Sequence, residues 1–466
     1  MKHTTESPSS ENRLGTMPIG RLLITMSLPM MISFFIQALY NIVDSMFVAR
    51  ISENALTAVS LAFPMQQIAS AISVGFGVGV NANVPRLLAG KDQDRADRTT
   101  GCAIFLALSF TVLFALLGIF AVRFIYTFQT DVEEIVRLGT LYLTICWTLC
   151  IGVFLGQIFE KLLVCTGHSS LAMLAQASGA VINLIFDPLL IFGIGPFPEL
   201  GIAGAAAATV MGQIIAAVIA LGLNLHCNTS VHLGIRYVKP DKAALTDIIS
   251  VGLPSTVTMG LSSLTGFVIN QILLGYSTTA TAVYGIWIKL QNFCHMPMFG
   301  MNNGTVPILS YNYACGRKDR VNRAMRLAVT FCVTYLVILA IVLECIPGTL
   351  LTLFSASDAM REIGITALRI CIVSLPCGGL TVILGSAMQA MQHASYALAV
   401  NILRQFVSLI GLFALISALT HSLNLVWFAV PTAELITVIA AILLTRRMLQ
   451  KLWAHSPGSC RSEKHA

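Results

Sequence analysis

The sequence predicts an all-α integral membrane protein of twelve transmembrane helices in two six-helix lobes. Three observations carry this. Of its 466 residues, 56% are hydrophobic and only 11% charged, where a soluble domain carries about 25% charged residues. Most apolar runs reach the roughly 20 residues that cross a bilayer as a helix, and no series of short alternating strands suggests a barrel. The chain also repeats itself at an offset near 225 residues, shown below by matched elements.

Along the chain, residues 1–20 (MKHTTESPSSENRLGTMPIG) are polar and read as a tail. The apolar run behind them is too long for a signal-peptide core, so no cleavable signal is expected. Spans follow at about 21–48, 55–84, 101–122, 138–164, 169–193 and 201–225, which make the first lobe (21–225). A polar linker, 226–245, comes next. The second lobe (246–446) holds spans at about 246–275, 281–312, 326–346, 363–390, 394–419 and 423–445, and 447–466 is a second tail. The cysteines lie mostly within spans and have neither metal-ligand nor disulfide-framework spacing, so they read as small apolar packing residues.

An even number of spans puts both termini on one side. Of the 28 Lys and Arg residues, counting those at span ends with the adjoining segment, 21 fall on that side, five on the other, and Lys289 and Arg404 well within spans. By the positive-inside rule the termini are cytoplasmic, in a multi-pass protein of the cell (inner) membrane. The repeat supports two parallel halves. SLP at 27–29 matches GLP at 252–254, and TAV at 57–59 recurs at 281–283. GKDQDRADR (90–98) resembles GRKDRVNR (316–323), and CTGHSSLA (165–172) resembles AMQHASYA (390–397). Paired repeats of this kind are transporter architecture.

Polar residues inside the spans mark the candidate site. Span 1 carries Ser33, Gln37, Asn41 and Asp44 at spacings of 4, 4 and 3, one helical face. An ionised carboxylate facing lipid at mid-membrane costs about 2.5–3.5 kcal/mol on insertion scales, so Asp44 should face a cavity or a partner. Pro29 removes a backbone bond from the same helix and makes a bend available. Span 5 (AVINLIFDPLL, 180–190) places Asn183 and Asp187 four apart. Span 6 opens GIAGAAAATVMGQ (201–213), whose small residues permit close packing and whose Thr209 and Gln213 share a face. Asp44, Asp187, Asn183 and Thr209 would supply hard oxygen ligands suited to a proton relay or a small hard cation such as Na+.

The remaining intramembrane charges leave alternatives open. Glu160 and Lys161 can snorkel or pair locally. Glu434 is a cavity acid or the partner of Arg404. Lys289 lines a cavity in the second half or pairs with an acid. Glu344 falls at the outer end of span 9 and reads as interfacial. Met296, Met298, Phe299 and Met301 suit an adaptable binding wall or ordinary packing.

SLPMMISFFIQALYNIVDSMFV, VINLIFDPLLIFG, GIAGAAAATVMGQ and VPILSYNYACGRKDRVNR together resemble the multidrug and toxic compound extrusion (MATE) family over roughly residues 20–447. The resemblance implies a V-shaped two-lobed exporter driven by inward proton or sodium flow. An acid in span 1 with an Asn–Asp pair in span 5 resembles the DinF-like branch, which implies a first-lobe cation site at Asp44, Asn183, Asp187 and Thr209. Arg404–Gln405 fits the family's span 11, and Glu160 and Glu434 resemble acids of staphylococcal-type exporters. Spans 7 and 10 lack acids apart from Asp247, which departs from the NorM-like branch and argues against a second-lobe cation site of that type.

The expected function is therefore antiport: export of amphipathic cationic drugs or toxic organic compounds against H+ or Na+, with no cofactor. Expected partners are small-molecule substrates and the lipid bilayer, with no nucleic acid, and the chain is expected to act as a monomer. A major-facilitator transporter would explain Gly90, Asp94, Arg95 and Arg98, but Asp97 stands where that motif requires Gly. A lipid-linked saccharide flippase should carry several cavity arginines, and Arg404 is the one clear candidate. A membrane enzyme should show H-E-x-x-H, G-x-S-x-G or a His–Glu cluster, and none is present.

Overall fold

Twelve helical spans connected by short loops make up the computed structural model, which describes residues 13–353 and 357–454. The beginning of the first tail (1–12) and the end of the second (455–466) lie outside the described residues. No strand occurs among the described residues. The first half comprises Ile19–Ala49 (span 1), Glu53–Ala89 (span 2), Gln93–Phe120 (span 3), Glu133–Thr148 with Ile151–Cys165 (span 4), Ser169–Phe192 (span 5) and Ile202–Cys227 (span 6). The second comprises Lys242–Leu274 (span 7), Thr278–Ala314 (span 8), Lys318–Cys345 (span 9), Asp358–Ile372 with Leu375–Ala390 (span 10), Ala394–Thr420 (span 11) and Leu423–Gln450 (span 12).

One detail differs from the sequence expectation. Spans 4 and 10 are each bent by 44° at a short break. In span 10 the break falls where Pro376, which has no N–H to donate, opens the second segment. Span 8 has 37 residues, ample for a crossing. Its apolar run is interrupted by Lys289, Gln291, Asn292, His295, Asn302 and Asn303, and it lies where the sequence places a span at about 281–312. Span 1 runs as one continuous helix through Pro29, and span 5 through Pro188.

Buried apolar residues fall into two cores. One draws on residues 30–248, the other mainly on residues 251–448. The first helix of each half crosses between them. In span 1, Leu22, Leu23 and Met26 belong to the second core while Met30 and Val48 belong to the first. In span 7, Ala244 and Ile248 belong to the first core and Val251 and Ile269 to the second. Among the buried residues of span 1 the changeover falls between Met26 and Met30, while half-buried Met31 still packs on the second core.

Glycines make this exchange fit. A Cβ on Gly75 would stand 2.8 Å from the Gly252 carbonyl oxygen, and one on Gly79 2.6 Å from that of Ile248. On the other side, Gly304 abuts Ser27, and Gly300 abuts Met31. All these contacts lie toward the end of the bundle that carries residue 13, here the terminal end.

The two repeated basic loops close that end. In the first, Arg86 and Arg95 reach Asp247 at the start of span 7, at 3.2 and 2.8 Å. Asn83 donates to the Asp247 carbonyl at 2.7 Å, and Arg98 stands 3.8 Å from Asp241. Asp241 caps span 7 by accepting from the Ala244 N–H, which with Arg98 and Arg95 holds its carboxyl below the usual range. In the second loop, Arg317 donates to the Gly15 carbonyl, and Arg320 to those of Leu14 and Met17, just before span 1. Each half thus grips the entry of the other half's first helix. Among the described residues, hydrogen bonds between the halves run from mid-bundle (Thr256 to the Ala71 carbonyl, 3.2 Å) to the terminal end, with none toward the far end.

Candidate functional site

Close packing of spans 5 and 6 builds the first-half polar cluster. A Cβ on Gly179 would sit 2.7 Å from the Gly212 carbonyl oxygen, and one on Gly212 2.7 Å from that of Gly179. Backbones this near leave Asn183 directly against Thr209. The Asn183 amide donates to Asp187 Oδ2 at 3.1 Å and its oxygen accepts from the Thr209 N–H at 3.2 Å. Asn183 is 3% exposed and Asp187 0%, so the pair is sealed.

Span 1 brings Asp44 to face Asp187, carboxyl to carboxyl. Asp44 Oδ1 is buried and has no hydrogen-bond donor. Two carboxylates share a hydrogen bond only when one holds a proton, and two charges this close in a dry site repel strongly unless a cation stands between them.

The rest of the span 1 stripe divides. Ser33 is buried, and Gln37 is half-buried and accepts from Gln176 Nε2 at 3.4 Å. Asn41 is exposed and, among the described residues, makes no side-chain hydrogen bond to the carboxyl pair. Gln213 is half-buried on span 6, one turn beyond Thr209.

Sequence reasoning missed Tyr40, whose hydroxyl lies within electrostatic reach of both Asp44 and Asp187. Its position, four residues before Asp44, was the available signal. It also missed Tyr142 and Cys146 of span 4, which face Gln66 of span 2 and extend the polar patch toward Asp44.

The other candidates resolve into pairs. Glu434 is the partner of Arg404, whose Nε reaches both carboxylate oxygens, at 2.9 and 3.1 Å, and whose second nitrogen also donates to Oε1. Neither is a free cavity charge. The pair stands where span 11 widens into a π-helix, Leu403–Ile410, the next residue of which, Gln405, donates to Ser262 at 2.9 Å. Glu160 does not snorkel. It is buried and pairs with Lys161 at 3.0 Å, while Lys161 also donates to Asn303 of span 8 at 2.8 Å. Lys289 is exposed and, among the described residues, has no ion-pair partner, which leaves the first of its two alternatives, lining a cavity in the second half. Met298 and Met301 are buried in the second core and serve packing. Among the described residues no group of three or more His, Cys, Asp or Glu side chains converges as for a transition metal.

A family model described as MatE matches residues 29–189 and again 254–414, so the two matches share the 225-residue offset of the repeat (29 to 254). The chain is 26% identical over 441 residues to the FAD transporter of Shewanella oneidensis, covering 94% of this chain and 96% of that protein. It is 26% identical over 427 residues to the multidrug export protein MepA of Staphylococcus saprophyticus, covering 91% and 93%. A MOP superfamily transporter from Pyrococcus furiosus superposes with a TM-score of 0.88 at 23% identity, covering 96% of this chain and 99% of that one.

Proposed function

Because this chain belongs to the MatE family, whose members are multi-pass transporters and not enzymes, we propose that it is a secondary active exporter. It exchanges an amphipathic organic cation, moving outward, for a proton or sodium ion moving inward. The observation that supports the reading is the Asp44–Asp187 pair with its unpartnered Asp44 oxygen.

The mechanism follows from how close the two carboxyls stand. A cation entering from the far end offsets one of the two negative charges, relieves their repulsion and draws span 1 toward span 5. A proton satisfies the pair with a single bond, whereas a sodium ion needs further oxygens, which Asn183 and Thr209 would add. Neutralisation must favour one arrangement of span 1 over the other, or it moves nothing. With the termini cytoplasmic, the closure at the terminal end corresponds to a cavity open to the outside, the state in which cargo leaves and the coupling ion arrives.

The test is transport in proteoliposomes with proton and sodium gradients imposed separately, over a panel of cationic dyes and drugs. Asp44→Asn should abolish gradient-driven export at normal protein level. Full export by that variant would remove Asp44 from the mechanism.

A second reading concerns cargo. One relative is named a FAD transporter, and Lys289 is an exposed ammonium without an ion-pair partner, suited to a phosphate-bearing cargo. FAD belongs in the same panel, and export of FAD that falls in Lys289→Gln would favour this cargo.

A further inference from the structure

Spans 9, 10 and 12 enclose a groove of about 600 Å³ toward the far end of the second half. The helices that wall it pack chiefly on other helices of that half, so it stands apart from the interface between halves. Its rim is apolar and open: Val373 is 64% exposed, Phe428 49% and Leu435 53%. In a membrane span such residues face acyl chains.

Two charges line this groove, Glu344 near the end of span 9 and Arg369 in span 10. Arg369 is the charged group that acts on Glu344, yet no ion pair joins them within 4.0 Å among the described residues. Glu344 Oε1 is shut off from solvent and has no hydrogen-bond donor. A buried carboxylate oxygen without a donor is costly, and charged groups in a span normally pair. The last carbonyls of span 9, which ends at Cys345, add negative partial charge beside Glu344. The groove therefore offers a cation site and an anion site held apart, with an apolar wall next to them.

We propose that this groove binds a zwitterionic phospholipid with a primary ammonium headgroup, of the phosphatidylethanolamine class. The ammonium reaches the groove-facing side of the Glu344 carboxylate at the end of span 9, Arg369 holds the phosphate, and the acyl chains lie along Val373, Phe428 and Leu435. A primary ammonium has three N–H donors to offer a carboxylate. A quaternary choline has none, and a headgroup with only negative charge would meet Glu344.

The test is native mass spectrometry of the full-length protein released from detergent, offered phosphatidylethanolamine, phosphatidylcholine and phosphatidylglycerol at equal concentration. Wild type should retain phosphatidylethanolamine about tenfold better than phosphatidylcholine, the size of one charge-assisted hydrogen bond. Glu344→Gln should bring the two near parity, and Arg369→Gln should lower retention of both. Equal retention by wild type, preference for phosphatidylglycerol, or an undiminished preference in Glu344→Gln would each overturn the proposal. Should Glu344→Gln not purify as a single species, Val373→Trp decides. It fills the exposed rim and leaves both charges in place, so it should cut phosphatidylethanolamine retention, and unchanged retention refutes the site.

Discussion

Replacing Asp247 with Asn removes both ion pairs that Asp247 makes with the first half, to Arg86 and Arg95, while keeping the side chain's volume. Asp247 is 15% exposed, Arg86 28% and Arg95 44%. Freed arginines with that much exposure rehydrate, so the penalty of about 3–5 kcal/mol for stranding a buried charge does not apply. Each pair should then be worth about 1 kcal/mol, the upper end for exposed pairs. Because both cross between halves, both break when the terminal end opens. Their loss shifts the balance between closed and open by about 2 kcal/mol, or roughly 30-fold. Amide hydrogen exchange over residues 241–252 reads this directly, and it should quicken by about that factor in Asp247→Asn. Asp94→Asn is the control, since Asp94 pairs with Arg98 inside the same loop at 2.8 Å and does not cross. Unchanged exchange in Asp247→Asn, or equal quickening in the control, would refute the role of the cross-half pairs in closure.

Other perturbations separate the two polar clusters. Glu434→Gln strands Arg404, 15% exposed on its side chain against 1% for Glu434, and should cost about 3–5 kcal/mol in a detergent unfolding titration, whereas Arg404→Met with Glu434→Leu should come close to wild type or above it. Gly212→Ala puts a methyl 2.7 Å from the Gly179 carbonyl oxygen and 3.1 Å from Asn183 Cβ. It should cost about 1–3 kcal/mol by overpacking and lower ion-driven export further than stability alone explains, because it moves Thr209 off Asn183. Export that tracks stability alone would place the coupling elsewhere.

Much of this was legible because bilayers restrict what a sequence can do. The spans, the two halves and their offset follow from apolar run length and repetition, and the face shared by Asn183 and Asp187 follows from helical spacing. Three things were not legible. The partnership of Arg404 with Glu434 joins residues 30 apart on different spans, and charge alone offered a cavity role as readily. Span 1 spacing put Asn41 in phase with Asp44, but phase fixes only the side of the helix, and Asn41 falls where no neighbour covers it. The basic loops resembled a motif of another transporter class. Their geometry supplies the physical reason for such residues: arginines one turn apart at the end of a span reach an acid and carbonyls on the opposite half. That contact depends on how the halves meet, which one-dimensional pattern does not contain.

The course of span 1 ties the cation cluster to the closure. Its terminal-end segment is held by the second half, through Ser27 against Gly304 and through the arginines that grip Leu14, Gly15 and Met17. Its other segment carries Asp44 into the first half. A shift of Asp44 toward Asp187 must therefore tilt one segment against a fixed one. Pro29 stands between Met26 of the second core and Met30 of the first, and it leaves the Thr25 carbonyl without its usual helical donor. A helix lacking one bond at the changeover absorbs tilt there more cheaply than elsewhere. Pro29→Ala restores that donor without changing any group at the cation cluster. Ion binding should then persist while its effect on the terminal end weakens, so hydrogen exchange over residues 241–252 should respond less to an imposed gradient than in wild type. An undiminished response would mean that span 1 moves as a rigid rod, with the coupling carried by its packing against span 8.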